Sequence, residues 1–267
     1  LFRTLLPEKL YRKKIYRERT LRLMEEPKKK TQIIVITDNT EYGTCAEAFG
    51  AKVAEIFKAS LLIKPYQQIG NKEYFLHQAE SADTSMLVIG VDKNHRKATF
   101  TLKKALKFMK DSRIPILVVG KELPKENQFQ NVLLPIDIEK NTKEKALWAG
   151  YFSRYYGATI HILYNQHKDE FLQKEIQDNL DFIHKLYNNL EINYKDHLLT
   201  DKNRCSDLAS LSFAPQVDAT LTVIMLTQYY SLIDWLFSPK EKEILQKAEN
   251  FPVLCLNARD DLYVLCT

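Results

Sequence analysis

The sequence predicts an α/β protein of two tandem, doubly wound parallel-sheet modules, the first abbreviated, behind a basic helical extension. Three observations predict it. Short β-branched apolar runs alternate with amphipathic stretches, and strands separated by helices pair in parallel through crossover connections. The alternation then restarts, since QIIVITD (32–38) is echoed by NVLLPID (131–137), a period of about 100 residues. A proline-led apolar run closes each copy, IPILVVG at 114–120 and FPVLCLN at 251–257.

The elements follow in order. Residues 1–30 hold EKLYRKKIYRERTLRLMEE, rich in helix formers and bracketed by Pro7 and Pro27. Leu10, Ile15, Leu21 and Met24 make no wide apolar stripe, so this reads as a basic helix with a thin apolar side. QIIVIT is a buried parallel strand. The helix over 44–58 places Ala46, Phe49, Val53, Ile56 and Phe57 on one face. SLLIKPY is a second strand, at most one short helix fits within QIGNKEYFLHQAES, and SMLVIG (85–90) is a third strand. TLKKALKFMKDS is helical and leads to IPILVVG. The second copy runs NVLLPID, a helix over 143–156, ATIHILY, a long helix over about 168–190, INYKDHLL, a short helix near 204–214, ATLTVIML, KEKEILQKAE and FPVLCLN. Three domains follow: the extension at 1–30, a first module at 31–124 and a second at 130–267.

Charge is unevenly distributed. The net +5 comes from 39 basic and 34 acidic residues, but residues 1–30 alone carry 11 Lys/Arg against 4 Asp/Glu. The remainder, 28 basic and 30 acidic, is close to neutral, which argues against a nucleic-acid-binding body. The basic segment reads as a solvated or partner-packed helix, as a membrane-surface or juxtamembrane segment, or as a nucleic-acid contact. No apolar run approaches the ~20 residues that cross a bilayer, and no secretory leader is recognisable. Cys45, Cys205, Cys255 and Cys266 are scattered without metal-ligand spacing, as expected of reduced thiols in a cytoplasm.

The order and duplication of these runs resemble the universal stress protein family in its tandem form. The strand-plus-acid openings QIIVITD and NVLLPID carry the resemblance, with the small-residue-led second strands KASLLI and GATIHILY. The late strands SADTSMLVIG and VDATLTVIML and the closing strands RIPILVVG and NFPVLCLN complete it. It spans about residues 30–266 and implies the adenine nucleotide alpha hydrolase-like fold, a role in stress response and dimerisation, as a homodimer or an intramolecular pseudo-dimer. In the first copy only about 20 residues separate the second strand from SMLVIG, so one strand–helix unit is missing there.

The resemblance also names the ligand position. Nucleotide-binding members use the acid after the first strand, here Asp38 or Asp137, and a G-x-x-G-x9-G-Ser/Thr loop after the fourth strand. Glycines are needed because phosphate oxygens must approach converging backbone N–H groups. The first copy has VDKNHRKATF there, and the second has TQYYSLIDWLFSP with no glycine anywhere after Gly157. A glycine-lined phosphate cradle is therefore excluded in the second module. In the first, Lys93, His95, Arg96 and Lys97 either form a solvated turn or meet an anion such as ATP or AMP by charge, with Asp38 nearby. Asp38 and Asp137 otherwise read as loop-ordering or capping carboxylates.

No catalytic motif appears, and the histidines are dispersed, with His161 inside a strand as a packed or edge residue. Cys205 falls in the short helix and Cys255 in a buried strand, away from any reactive setting. Tyr229, Tyr230, Trp235 and Phe237 replace the phosphate loop, as packing or as an interface. Tyr263, Val264 and Leu265 belong to an alternating tail that suits pairing at a sheet edge. The expectation is a non-enzymatic cytoplasmic protein without cofactor, acting through an unidentified protein partner. A nucleotide or anion sensor and a regulatory domain of a transporter are the alternatives.

Overall fold

The computed structural model of the chain describes residues 31–92, 100–138, 142–199, 206–226, 239–248 and 251–258. The predicted alternation is present in chain order. The first half holds β1 (Gln32–Thr37), α1 (Glu41–Ile56), β2 (Ser60–Pro65), α2 (Lys72–Ser81), β3 (Thr84–Gly90), α3 (Leu102–Lys110) and β4 (Ile116–Val119). The second holds β5 (Asn131–Ile136), α4 (Thr142–Tyr156), β6 (Thr159–Asn165), α5 (Glu170–Leu190), β7 (Tyr194–Leu199), α6 (Ser206–Phe213), β8 (Leu221–Met225), α7 (Pro239–Lys247) and β9 (Val253–Leu256).

All nine strands form one sheet, ordered β2-β1-β3-β4-β9-β8-β5-β6-β7. Within each half every pairing is parallel; the halves join through β4 and β9, which pair antiparallel at Ile116↔Cys255, Leu117↔Leu254 and Val118↔Val253. Among the described residues the second half has five strands and the first four, with no counterpart of β7 beyond β2. The two predicted parallel modules are thus one continuous sheet with a single change of direction.

Helices cover both faces. Side chains alternate along each strand, so Ile33 and Val35 face the layer of α1, α4 and α5, while Ile34 and Ile36 face α2, α3 and α7. Both cores cross the joint. On one face Phe49 of α1 meets Phe129, which meets Phe152 of α4; on the other, Phe108 of α3 shares a cluster with Ile244 of α7. One placement differs from expectation. Phe57 lies just past the helix rather than within it, because Lys58 takes a left-handed conformation (φ 51°) that ends the helical run. Its ring still reaches the core, edge-on to Phe152 and Tyr155 of the other half.

Shared cores predict shared unfolding. Leu254 is fully buried on the joining strand, so Leu254→Ala is expected to cost about 2–5 kcal/mol. Calorimetry and urea titration should show one transition moved downward as a whole, not split into two.

Candidate functional site

In open α/β sheets ligands sit beyond the carboxyl ends of the strands, where successive connections leave to opposite sides. In the first half that point lies between β1 and β3. In the second it lies between β5 and β8. Because β4 and β9 run antiparallel, the two points, and with them Asp38 and Asp137, stand at opposite ends of the sheet.

The first point is closed by backbone. β1 and β3 stay paired up to Ile36↔Ile89, near the end of both strands. The first turn of α1 then packs directly on the strand ends. A Cβ on Gly90 would stand 2.2 Å from the Tyr42 carbonyl oxygen, and one on Gly43 would stand 2.2 Å from that of Asp38. Both glycines permit this close approach. Asp38 orders the turn, its Oδ1 accepting from the Thr40 backbone N–H at 3.2 Å and from the Thr40 hydroxyl. Thr40, not Asp38, caps α1, accepting from the Gly43 N–H. At the end of β3, Asp92 is buried and its N–H donates to the Phe100 carbonyl at 3.1 Å, which draws together the two ends of the intervening loop. Lys93, His95, Arg96 and Lys97 on that loop lie outside the described residues.

The second point is open in backbone but filled by side chains. β5 pairs with β6 along its whole length, yet with β8 only at Val132↔Leu221 and Leu133↔Thr222. The strands then part, and Pro135, lacking an N–H, loses no donor by the parting. Into this place reaches Lys145 of α4. Its Nζ donates to the Pro135 carbonyl at 2.7 Å and stands 3.8 Å from Asp207 Oδ1 on α6, which packs on the opposite face. The lysine is wholly buried and the Asp207 side chain only 4% exposed. Thr142 and Glu144 of α4 and Glu241 of α7 are buried too. Asp137 is half-buried at its rim, its Oδ1 accepting from the Ile138 N–H at 2.9 Å while its carbonyl accepts from Asn179 of α5 at 3.0 Å.

Sequence reasoning placed Asp38 and Asp137 at strand ends but did not single out Lys145, whose KEKALW context resembles any solvated helix start. The available signal was Pro135, since a proline cannot donate to the ladder of a central strand and marks a place where pairing stops. Tyr229, Tyr230, Trp235, Phe237, Cys205, Tyr263, Val264 and Leu265 lie outside the described residues, as does the basic extension. Among the described residues no cluster of His, Cys, Asp and Glu is arranged to hold a metal ion. Burial pushes the thiol of Cys45 up, with Glu41 and Glu122 adding to it; burial raises Cys255 further, with Glu241 and Asp207. Neither thiol has the depressed pKa of a nucleophile.

A second polar group, with His161 buried and Asn131 and His197 half-buried, bridges β5, β6 and β7. His161 Nδ1 meets His197 Nε2 at 2.9 Å, His161 Nε2 meets Asn131 Oδ1 at 3.2 Å, and the two imidazole rings stack. Burial lowers the His161 pKa to about 4, with help from His197 and Lys195.

No protein-family model and no curated protein matches the sequence. Solved structures do. A universal stress protein from Archaeoglobus fulgidus DSM 4304 superposes with a TM-score of 0.60 at 11% identity, covering 87% of this chain and 98% of that one. A protein assigned to the same family from Pseudomonas aeruginosa UCBPP-PA14 gives 0.55 at 11% identity, over 88% and 96%. A functionally unknown protein from Pseudomonas aeruginosa PAO1 gives 0.52 at 11% identity, over 98% and 93%. In each case the likeness runs through both halves of the chain.

Two outcomes follow from the buried groups. Lys145→Met strands the Asp207 carboxylate in the interior and is expected to cost about 3–5 kcal/mol, with Lys145→Met/Asp207→Leu recovering most of it in urea titrations. His161 binds its proton less readily folded than unfolded, so between pH 6.5 and about 4 the unfolded chain holds more protons. Stability should therefore be complete above pH 6.5 and fall as the pH drops through that window. His161→Gln should flatten this slope.

The chain has the universal stress protein fold, carried as two α/β halves on one sheet.

Proposed function

We propose that this chain is a universal-stress-type protein that works in the cytoplasm without bound adenine nucleotide, acting by contact with protein partners and catalysing no reaction. One observation carries the reading: the crevice between β5 and β8 is occupied by the buried Lys145 ammonium and its partner Asp207. A phosphate-binding crevice needs converging backbone N–H groups free of bulky side chains, and the chain has no glycine after Gly157. At the other end, Gly43 and Gly90 serve helix packing. Among the described residues no helix is long and apolar enough to cross a membrane.

A second reading has its own support. The loop bearing Lys93, Arg96 and Lys97 is rooted at Asp92, at the end of the strand beside β1 and Asp38, so an anion held by charge would sit there.

Thermal shift and calorimetric titration with ATP and AMP decide between them. A ligand at a hundred times its Kd adds about 2.7 kcal/mol to stability, a readily measured rise in melting temperature. The expected result is no saturable rise. A rise in the wild type that is lost on charge reversal at Arg96→Glu, and lost again in Asp38→Asn, would establish the sensor reading instead. Nucleotide copurifying in the second half would overturn both.

A further inference from the structure

The two halves of the sheet differ at their outer edges, and the difference exposes an apolar surface. Gln32 is level with Ser60 as Asn131 is level with Thr159, so Leu61 and Ile63 of β2 correspond to Ile160 and Ile162 of β6. Ile160 and Ile162 are fully buried in a cluster with Ile176, Leu180, Ile183 and Tyr187 of α5. Leu61 and Ile63 are 38% and 45% exposed. The helix following β2 does not cover them, because α2 sends Phe75, Leu76 and Ala79 to the other face. Leu62, on that other face, is 44% exposed as well, and among the described residues β2 is the last strand of its edge. An exposed apolar edge strand is an aggregation hazard that folded proteins usually cover.

We propose that the cover is the N-terminal segment of this same chain, residues 8–26 lying as a helix over Leu61 and Ile63 in the place that α5 fills in the second half. Four observations select this occupant over a second copy. Residues 1–30 enter the fold at the foot of β2, where the Thr31 carbonyl accepts from the Ser60 N–H at 2.9 Å. The stretch bracketed by Pro7 and Pro27 would make a helix of about 28 Å, longer than the roughly 20 Å of a six-residue strand. Its apolar side is narrow, with Leu21 and Met24 three residues apart, which matches a target of two side chains. Its charge fits too. Residues 8–26 hold 7 Lys/Arg against 4 Asp/Glu, and α1 beside the target carries Glu41, Glu47 and Glu55 against the single Lys52.

Hydrogen–deuterium exchange on the full chain, with sedimentation to fix the oligomeric state, tests this. Amides of residues 8–26 are expected to exchange at least tenfold more slowly than an unstructured peptide of that sequence, in a monomer. Ile63→Asp should abolish that protection. Leu21→Asp, which alters no residue of the sheet, should abolish it equally, so a folding defect in the first variant leaves the test intact. Unprotected exchange of 8–26 in the wild type would overturn the proposal. So would protection that survives both variants, or a dimer in which the β2 amides are protected and the segment is not, since a second copy would then cover the edge.

Discussion

The antiparallel pairing of β4 with β9 is the constraint on which the rest of the structure depends. Each half alone would end in an apolar strand, ILVV in one and VLCL in the other, both buried along their entire length. Neither can be an exposed edge. Joined to each other, each covers its neighbour's hydrogen-bonding groups and extends its neighbour's core, so the two cores become common to both halves. Fixing the strands in opposite directions also turns the halves end for end. That sends the two strand-end acids to opposite ends of the molecule and rules out a single site built from both.

The same arrangement isolates the two crevices, and they are closed by different means. In the first, α1 sits so close to β3 that only glycine fits at position 90, and the space is taken by main chain. In the second, β5 and β8 part after two residue pairs, and a lysine occupies the parting. A buried ammonium is costly unless hydrogen-bonded and paired, and here a carbonyl without a strand partner and a buried carboxylate meet that requirement. The polar interior of the second half is thus a consequence of opening the sheet next to a proline. The pair belongs with packing, since the Lys145 ammonium meets the Pro135 carbonyl and the Asp207 carboxylate of the same chain.

Much of the fold could be read from the chain, because the signals were local. Strands such as QIIVIT and helices such as α3 declare themselves through period and length, and the duplication set their order. The missing unit after β2 was visible as a connection too short for a strand and helix. What escaped reading depends on distant residues. Nothing in ILVV or VLCL distinguishes a parallel from an antiparallel neighbour, since both faces are buried either way. Lys145 and Asp207 lie 62 positions apart in number, and His161 meets His197 across two strands, so no short window holds either pair. Phe57 was assigned to the helical face by spacing, but the left-handed turn at Lys58 is a backbone event that spacing does not report.

The unequal edges show how a duplicated fold acquires asymmetry. With β7 and α5 in place, the second half buries Ile160 and Ile162 and positions His161 against His197 and Asn131. Among the described residues the first half has no counterpart of them, and the same register positions hold Leu61, Leu62 and Ile63. Had the edge been left to solvent alone, polar or charged side chains would serve better there, and the only charged one in the strand is Lys64, next to its last residue. Three consecutive apolar residues at an unprotected edge are instead consistent with a covered surface. The second half shows which kind of element this sheet uses to cover it.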